Sequence, residues 1–154
     1  VTSVLLMMWH TKKYFASLVL ALSSLTCISQ SSAWSLLSLV SYEKQYDENL
    51  GMQVDIPTVN SVVMSMDGTD IEVSGYIIPI DGKVKQSHFV FSSFPANLCF
   101  FCGKAGPETA MEVFMADGKR VAYSDDKIKL KGRLQVKASD GSSLMYVLHE
   151  AVLL

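Results

Sequence analysis

Polar and apolar residues alternate most strictly from Lys127 to Lys137, where Ile128, Leu130, Gly132, Leu134 and Val136 interleave with Lys127, Lys129, Lys131, Arg133, Gln135 and Lys137. A period of two sends successive side chains to opposite sides of a strand, so this stretch predicts an apolar inner face and a basic outer one. A slip of one residue would bury the lysines. The same period runs through Ile71, Val73, Gly75 and Ile77 until Pro79 ends it, and sets Met111, Val113 and Met115 against Ala110, Glu112 and Phe114. Strand-like runs over Asp70 to Pro79, Ser87 to Ser92, Thr109 to Ala116, Lys127 to Lys137 and Leu144 to Leu148 or beyond make five. Asp81-Gly82, Asp117-Gly118 and Asp140-Gly141 supply turns between them.

Gly75 and Gly132 fall in mid-strand, where a missing side chain permits a sharp bend or a close backbone approach. Five short strands with interior glycines predict a mainly β fold, a small curled antiparallel barrel of the OB type over residues 70–154. A plain sandwich fits the same periodicity. Residues 34–69 read as a short irregular or helical lead-in. Trp34, Leu37 and Val40 have near-helical spacing, Tyr42 to Asn49 is polar, Pro57 opens a short helix through Val62 and Val63, and Met66-Asp67-Gly68 forms a turn.

The first 33 residues follow another logic. Lys12 and Lys13 precede an uncharged apolar run from Tyr14 to Ile28, and Ser31, Ser32 and Ala33 then offer small residues for cleavage before Trp34. This order predicts a secretory signal peptide over 1–33 and a periplasmic or secreted protein. The apolar run, broken by Ser17, Ser23, Ser24 and Thr26, falls short of the roughly 20 apolar residues a permanent span requires. Ser24, Leu25 and Thr26 lack the pattern that precedes a lipidated cysteine, which argues against an anchor at Cys27.

Composition narrows the function classes. The chain has 154 residues, is 49% hydrophobic and 18% charged, and carries a formal net charge of -2, which excludes a disordered or polytopic membrane protein. Taking 33 residues from 154 leaves 121, with 11 basic and 15 acidic residues and a net charge of -4. Such a balance offers no general attraction to nucleic acid. The basic row on Lys127 to Lys137 lacks interleaved aromatic residues and reads as the outward face of an edge strand, protected against aggregation.

Thiol or imidazole chemistry in the mature chain must use Cys99, Cys102, His88 and His149. Cys99-Phe100-Phe101-Cys102-Gly103-Lys104-Ala105-Gly106-Pro107-Glu108 lies on a loop between two strands. Two cysteines three apart, followed by a glycine, make half of a metal-ligand set for a soft transition metal such as zinc or copper, and His88 or Glu108 are candidates to complete it. Glu112 and His149 are further candidates. A disulfide or two packed thiols suits the same residues, since an exported protein meets oxidising conditions. Thioredoxin-like exchange is disfavoured because Gly103, Gly106 and Pro107 oppose the helix that would lower a thiol pKa. No G-x-S-x-G, H-E-x-x-H or phosphate-binding glycine motif occurs. His149 and Glu150 are adjacent in a terminal strand, which predicts side chains on opposite faces.

Trp34, the segment Asp70 to Pro79, His88-Phe89-Val90-Phe91-Ser92 and above all Cys99 to Glu108 resemble a family of exported bacterial domains, domain of unknown function 3299 (DUF3299), in its Bacteroidetes-like type. Cys99, Cys102, Gly103, Gly106, Pro107 and Glu108 match the family's signature. The resemblance implies a secreted or periplasmic protein with a small β-barrel-like domain and brings no reaction or ligand with it. Two functions stay open: a binding or accessory protein whose loop ligates a soft metal or metal cofactor, and a structural interaction module in which a Cys99–Cys102 disulfide stiffens the loop while the sheet edge or the basic row docks an envelope or membrane-transporter protein. A thiol redox enzyme ranks third.

Overall fold

A computed structural model describes residues 32–79, 82–137 and 144–154. The signal peptide expected at 1–33 lies outside the described residues up to position 31, as do Cys27, Asp81 and the expected turn at Asp140-Gly141. Among the described residues no helix is long and apolar enough to cross a membrane.

Helix α1 (Ala33–Leu37) is followed by strands β1 (Val40–Asp47) and β2 (Met52–Val59), helix α2 (Ser61–Met64), and strands β3 (Asp70–Ile78), β4 (Lys85–Gln86), β5 (His88–Ser92), β6 (Ala110–Met115), β7 (Val121–Ala122), β8 (Ile128–Val136) and β9 (Tyr146–Leu153). Five of the strands close into a barrel in the order β3-β5-β6-β9-β8, with β8 pairing back to β3. Every contact round this circuit is antiparallel except β6 with β9, which is parallel and pairs Glu112 with Val147 and Val113 with Leu148. The exception follows from number: strands that alternate in direction cannot close a ring of five, so one pair must run the same way. The circuit is that of a Greek-key barrel of the OB type rather than a sandwich.

Alternation sets the inside of the barrel as expected. Ile71, Val73, Ile77, Leu130, Leu134 and Val136 are buried, and Ile128 packs partly buried at the rim. On β6, Met111, Val113 and Met115 point inward while Phe114 is exposed. The two mid-strand glycines mark close approaches. A Cβ on Gly75 would strike the Ser92 carbonyl, and one on Gly132 would sit 2.7 Å from the His149 carbonyl oxygen and 2.9 Å from Leu148 Cγ.

At that second approach β9 departs from simple alternation. The β8–β9 register shifts between Lys131 and Arg133, and the β6–β9 register shifts between Val113 and Met115. Glu150 adopts a φ of 51°, in the left-handed region that non-glycine residues seldom enter. The resulting bulge turns both His149 and Glu150 outward between buried Leu148 and buried Ala151. The expectation of opposite faces therefore fails here, because the extra residue of a bulge breaks the two-residue period.

Two further expectations are corrected by pairing. Strand β8 has a neighbour on each side, so its basic row is not an edge. Lys129 meets Glu72 of β3 at 2.5 Å, and Arg133 and Lys131 stand opposite Asp70 and Glu72 in register. Pro57 opens no helix: it sits inside β2, opposite Tyr42, in a hairpin of β1 with β2. The proline is tolerated because a two-stranded ribbon leaves each strand an edge without a ladder partner. The hairpin turn is fixed by Asp47, whose Oδ1 accepts from the N–H groups of Asn49 (2.8 Å) and Leu50 (3.2 Å). Helix α2 starts later, after Asn60, whose Oδ1 caps the Val63 N–H at 3.0 Å.

The lead-in closes one end of the barrel. Leu37 and Val63 are fully buried with the barrel residues, the Trp34 indole donates to the Ser74 carbonyl at 2.9 Å, and its ring stacks against Phe91 at 6.5 Å. The fully buried Tyr146 hydroxyl donates to the Leu37 carbonyl at 2.7 Å, tying β9 to α1.

Candidate functional site

The loop that carries the cysteines joins β5 to β6 and is closed at its neck by Ser93 N–H donating to the Thr109 carbonyl at 2.9 Å. Proline and glycine break it into three short 3-10 turns, Ala96–Leu98, Phe100–Cys102 and Pro107–Thr109. Cys99 begins the second turn in extended conformation, and Cys102 N–H donates back to the Cys99 carbonyl at 3.0 Å. Gly103 ends that turn at a φ of 68°, which explains a glycine there without any steric neighbour.

Cys99 and Cys102 are not bonded to each other in the structure, and their surroundings are opposite. Cys99 is buried, whereas Cys102 is exposed and its Sγ–H donates to the Ala96 carbonyl at 3.0 Å. Around them the loop presents apolar side chains to solvent: Phe94 and Leu98 are each 43% exposed and Phe101 is 58% exposed. Phe100 and Phe101 meet edge to face at 5.3 Å.

The last part of the motif has a packing role. The Glu108 carboxylate folds back over Gly106, where any Cβ would run into it, and accepts a hydrogen bond from the Tyr42 hydroxyl of β1. Pro107 occupies the first position of its turn, where a missing N–H costs nothing. Gly106, Pro107 and Glu108 thus fasten the loop to the hairpin. Partial burial, and then the bonded Glu108 carboxylate, hold the Tyr42 hydroxyl well above the usual tyrosine range. Burial and the same negative charge act likewise on Tyr146.

His88 belongs to a different part of the surface. It opens β5, while the loop leaves from the other end of that strand, about 13 Å of extended chain away. Its Nε2 lies 2.7 Å from Glu112 Oε1, and the other Glu112 oxygen lies 3.8 Å from Lys137 Nζ. The His88 ring stacks on Phe114 at 4.3 Å with planes 6° apart, and Phe114 in turn stacks with His149 at 5.7 Å and 8°. This three-ring ladder crosses the outer face of β5, β6 and β9.

Cys99 and Cys102 therefore share the loop, Glu108 is engaged by Tyr42 at its base, and His88 is engaged by Glu112 elsewhere. The structure does not draw these four into one cluster, and among the described residues no three His, Cys, Asp or Glu side chains converge to hold a metal ion. Sequence reasoning missed Tyr42 as the partner of Glu108 and missed the ring ladder. One signal was available for the second: alternation already set Phe114 on the outer face with Glu112, an exposed position for a large aromatic residue.

No family model matches the sequence, and no curated protein is similar to it. Among solved structures the chain is similar to a DUF3299 family protein from Pseudomonas aeruginosa PAO1, with 14% sequence identity and a TM-score of 0.44, over 64% of this chain and 67% of that one.

Proposed function

We propose that the chain is an exported binding or accessory protein, a DUF3299 member of the Bacteroidetes-like type, that docks an envelope or membrane-transporter protein through its Cys99–Cys102 loop. Export rests on the order Lys12-Lys13, apolar run, Ser31-Ser32-Ala33. Family membership rests on the Cys99 to Glu108 segment. The observation that carries docking is the trio Phe94, Leu98 and Phe101, displayed to solvent on one loop whose neck and base are fastened. Fixing a loop before contact reduces the ordering cost of binding.

The thiol pair fits a closable staple better than a four-ligand metal site. A hydrogen-bonded turn keeps its first and fourth Cα atoms within about 7 Å, compatible with a disulfide, and Cys99 and Cys102 hold those positions. His88 and Glu108, the residues that would complete a metal shell, are hydrogen-bonded elsewhere.

A photo-crosslinking residue at Phe101 in cells that make the protein tests docking, with the same residue at Lys129 as control. A discrete envelope adduct from position 101 alone is expected. Equal labelling from both positions, or none, overturns the proposal. Intact mass, thiol count and elemental analysis of the exported protein test the staple: a loss of two hydrogens without metal is expected, and two free thiols with stoichiometric metal would favour ligation instead.

A further inference from the structure

Cys99 and Cys102 sit on a loop whose fastening does not depend on them. The neck bond from Ser93 to Thr109 and the base contact of Glu108 with Tyr42 lie outside the pair, and Cys102 N–H already donates to the Cys99 carbonyl at 3.0 Å. A disulfide across two intervening residues closes a very short loop, the kind that removes least entropy from the unfolded chain. Stiffening alone is therefore a weak reason for two cysteines here. We infer that the pair performs disulfide exchange on a partner, with Cys102 as the sulfur attacked and Cys99 as the sulfur that leaves, a chemistry that rests on the docking loop and closable disulfide proposed above. Its substrate is a pair of cysteine thiols flanked by apolar residues.

The two sulfurs differ in access. Cys99 is 1% exposed, whereas Cys102 is exposed. A thiolate must approach a disulfide in line with the bond it breaks, so only the Cys102 sulfur is open to attack from solvent. A lasting staple shields both sulfurs, while exposed disulfides are the labile and catalytic ones.

The surroundings of Cys102 select the substrate. Its Sγ lies 3.0 Å from the Ala96 carbonyl, against the turn that carries exposed Leu98, and exposed Phe101 precedes it in the chain. Phe94 leads into the same turn and is exposed as well. Between Phe94 and Gly106 the sequence holds no carboxylate to repel an incoming thiolate and one cation, the exposed Lys104. Apolar residues beside the partner's cysteines would cover the three apolar side chains as the sulfurs meet.

The turn Phe100–Cys102 ends at Gly103 and is no substitute for the helix that activates a thioredoxin-like thiol. Here the chain supplies the electrophile. The attacking thiolate belongs to the partner, so the chain needs one reachable sulfur rather than an activated thiol of its own. In the first step the partner's thiolate attacks Cys102 Sγ, the Cys99–Cys102 bond breaks, and Cys99 leaves as a thiolate and is protonated. In the second, the partner's other thiolate attacks the partner sulfur of the mixed disulfide, and Cys102 leaves and is protonated. The partner loses two electrons and two protons as its disulfide forms, and the chain gains both as its own disulfide opens.

The test uses the full chain carrying Cys27→Ser, so that Cys99 and Cys102 are its only cysteines. The probe is a synthetic peptide with two cysteines flanked by phenylalanine and leucine, made also with serine in the flanking places. Mixed with the oxidised chain, the reduced apolar peptide should lose two hydrogens as the chain gains two, read by intact mass, about tenfold faster than the serine peptide. Phe101→Ser should remove most of that preference. The roles of the sulfurs are read in the reverse direction, with oxidised apolar peptide and reduced variants: Cys99→Ala should hold the peptide as a stable mixed disulfide, and Cys102→Ser should hold none. Before any substitution at either sulfur, a short pulse of iodoacetamide on the reduced chain should label Cys102 about tenfold ahead of Cys99. No exchange with either peptide, adducts on both variants alike, or equal labelling of the two thiols overturns the inference, and equal rates with the two peptides overturn its substrate class. Docking is judged separately by the crosslink from position 101. A crosslink without exchange leaves docking and removes this chemistry, whereas exchange at Cys102 without a crosslink supports the chemistry and removes the docking.

Discussion

The barrel and the hairpin beside it are both β structure, and different forces hold them. In the barrel, each strand puts one face into a common core, where Leu130, Leu134, Phe89 and Tyr146 are fully buried. In the hairpin, β1 and β2 pair over eight positions, yet only Pro57 is buried, while Tyr42, Tyr46 and Met52 remain exposed. An isolated two-stranded ribbon is marginal in water, so this one depends on its Asp47 turn, on Val40 and Val59 packed at its base, and on the Tyr42–Glu108 contact. Burial makes the barrel one cooperative unit, whereas the hairpin is free to open locally.

The largest effect should come from the barrel centre. Leu130→Ala removes a fully buried side chain from the face that alternation assigns to the core and should cost about 2–5 kcal/mol, read as a lower denaturation midpoint at unchanged slope. Gly132→Ala should follow at about 1–3 kcal/mol, since its Cβ must displace the His149 carbonyl or Leu148. A neutral outcome for Gly132→Ala would mean that the β9 bulge yields easily.

Legibility divides along the same line. Strands β3, β6 and β8 were readable because one-sided burial leaves a two-residue period in the sequence. The hairpin was not: Tyr42 to Asn49 reads as merely polar when neither face enters the core, and Pro57 suggests a helix start when its strand-edge position is invisible. The bulge at Glu150 was hidden because a non-glycine residue gives no sign of a positive φ. At the site, the segment Cys99 to Glu108 was visible as a motif. The partners of Glu108 and His88 were not visible, because Tyr42 is 66 residues from Glu108 and Glu112 is 24 from His88, and no local spacing encodes such contacts.

Tyr146 and Tyr42 allow a graded test, because both hydroxyls are held above their ordinary value of 10 and differ in burial. Tyr146→Phe leaves the Leu37 carbonyl without its donor inside the core and should cost about 1 kcal/mol at neutral pH. For a group whose pKa is raised on folding, the stabilisation is complete below the unfolded value and is lost as pH rises above it. Wild-type stability should therefore decline above about pH 10, and the Phe variant should decline less steeply. Parallel curves for the two proteins would show that Tyr146 is not the group being titrated.

The smallest expected effect is Tyr42→Phe. The hydroxyl it removes is partly solvated, so global stability should fall by about 0.5 kcal/mol or less, close to the limit of a denaturation curve. Its consequence lies instead in the connection between regions. Without the donor, the Glu108 carboxylate loses its hold on β1, while the barrel ladder of β3, β8 and β9 loses nothing. Amide hydrogen exchange should then accelerate across Val40 to Val59 and around Pro107 to Thr109, with no change in β8. Glu108→Gln keeps an acceptor for the Tyr42 hydroxyl and should exchange more slowly than Tyr42→Phe over the same residues. If Tyr42→Phe instead speeds exchange in β8 as much as in β1, the hairpin and the barrel form one cooperative unit, and the contrast between them is one of burial alone.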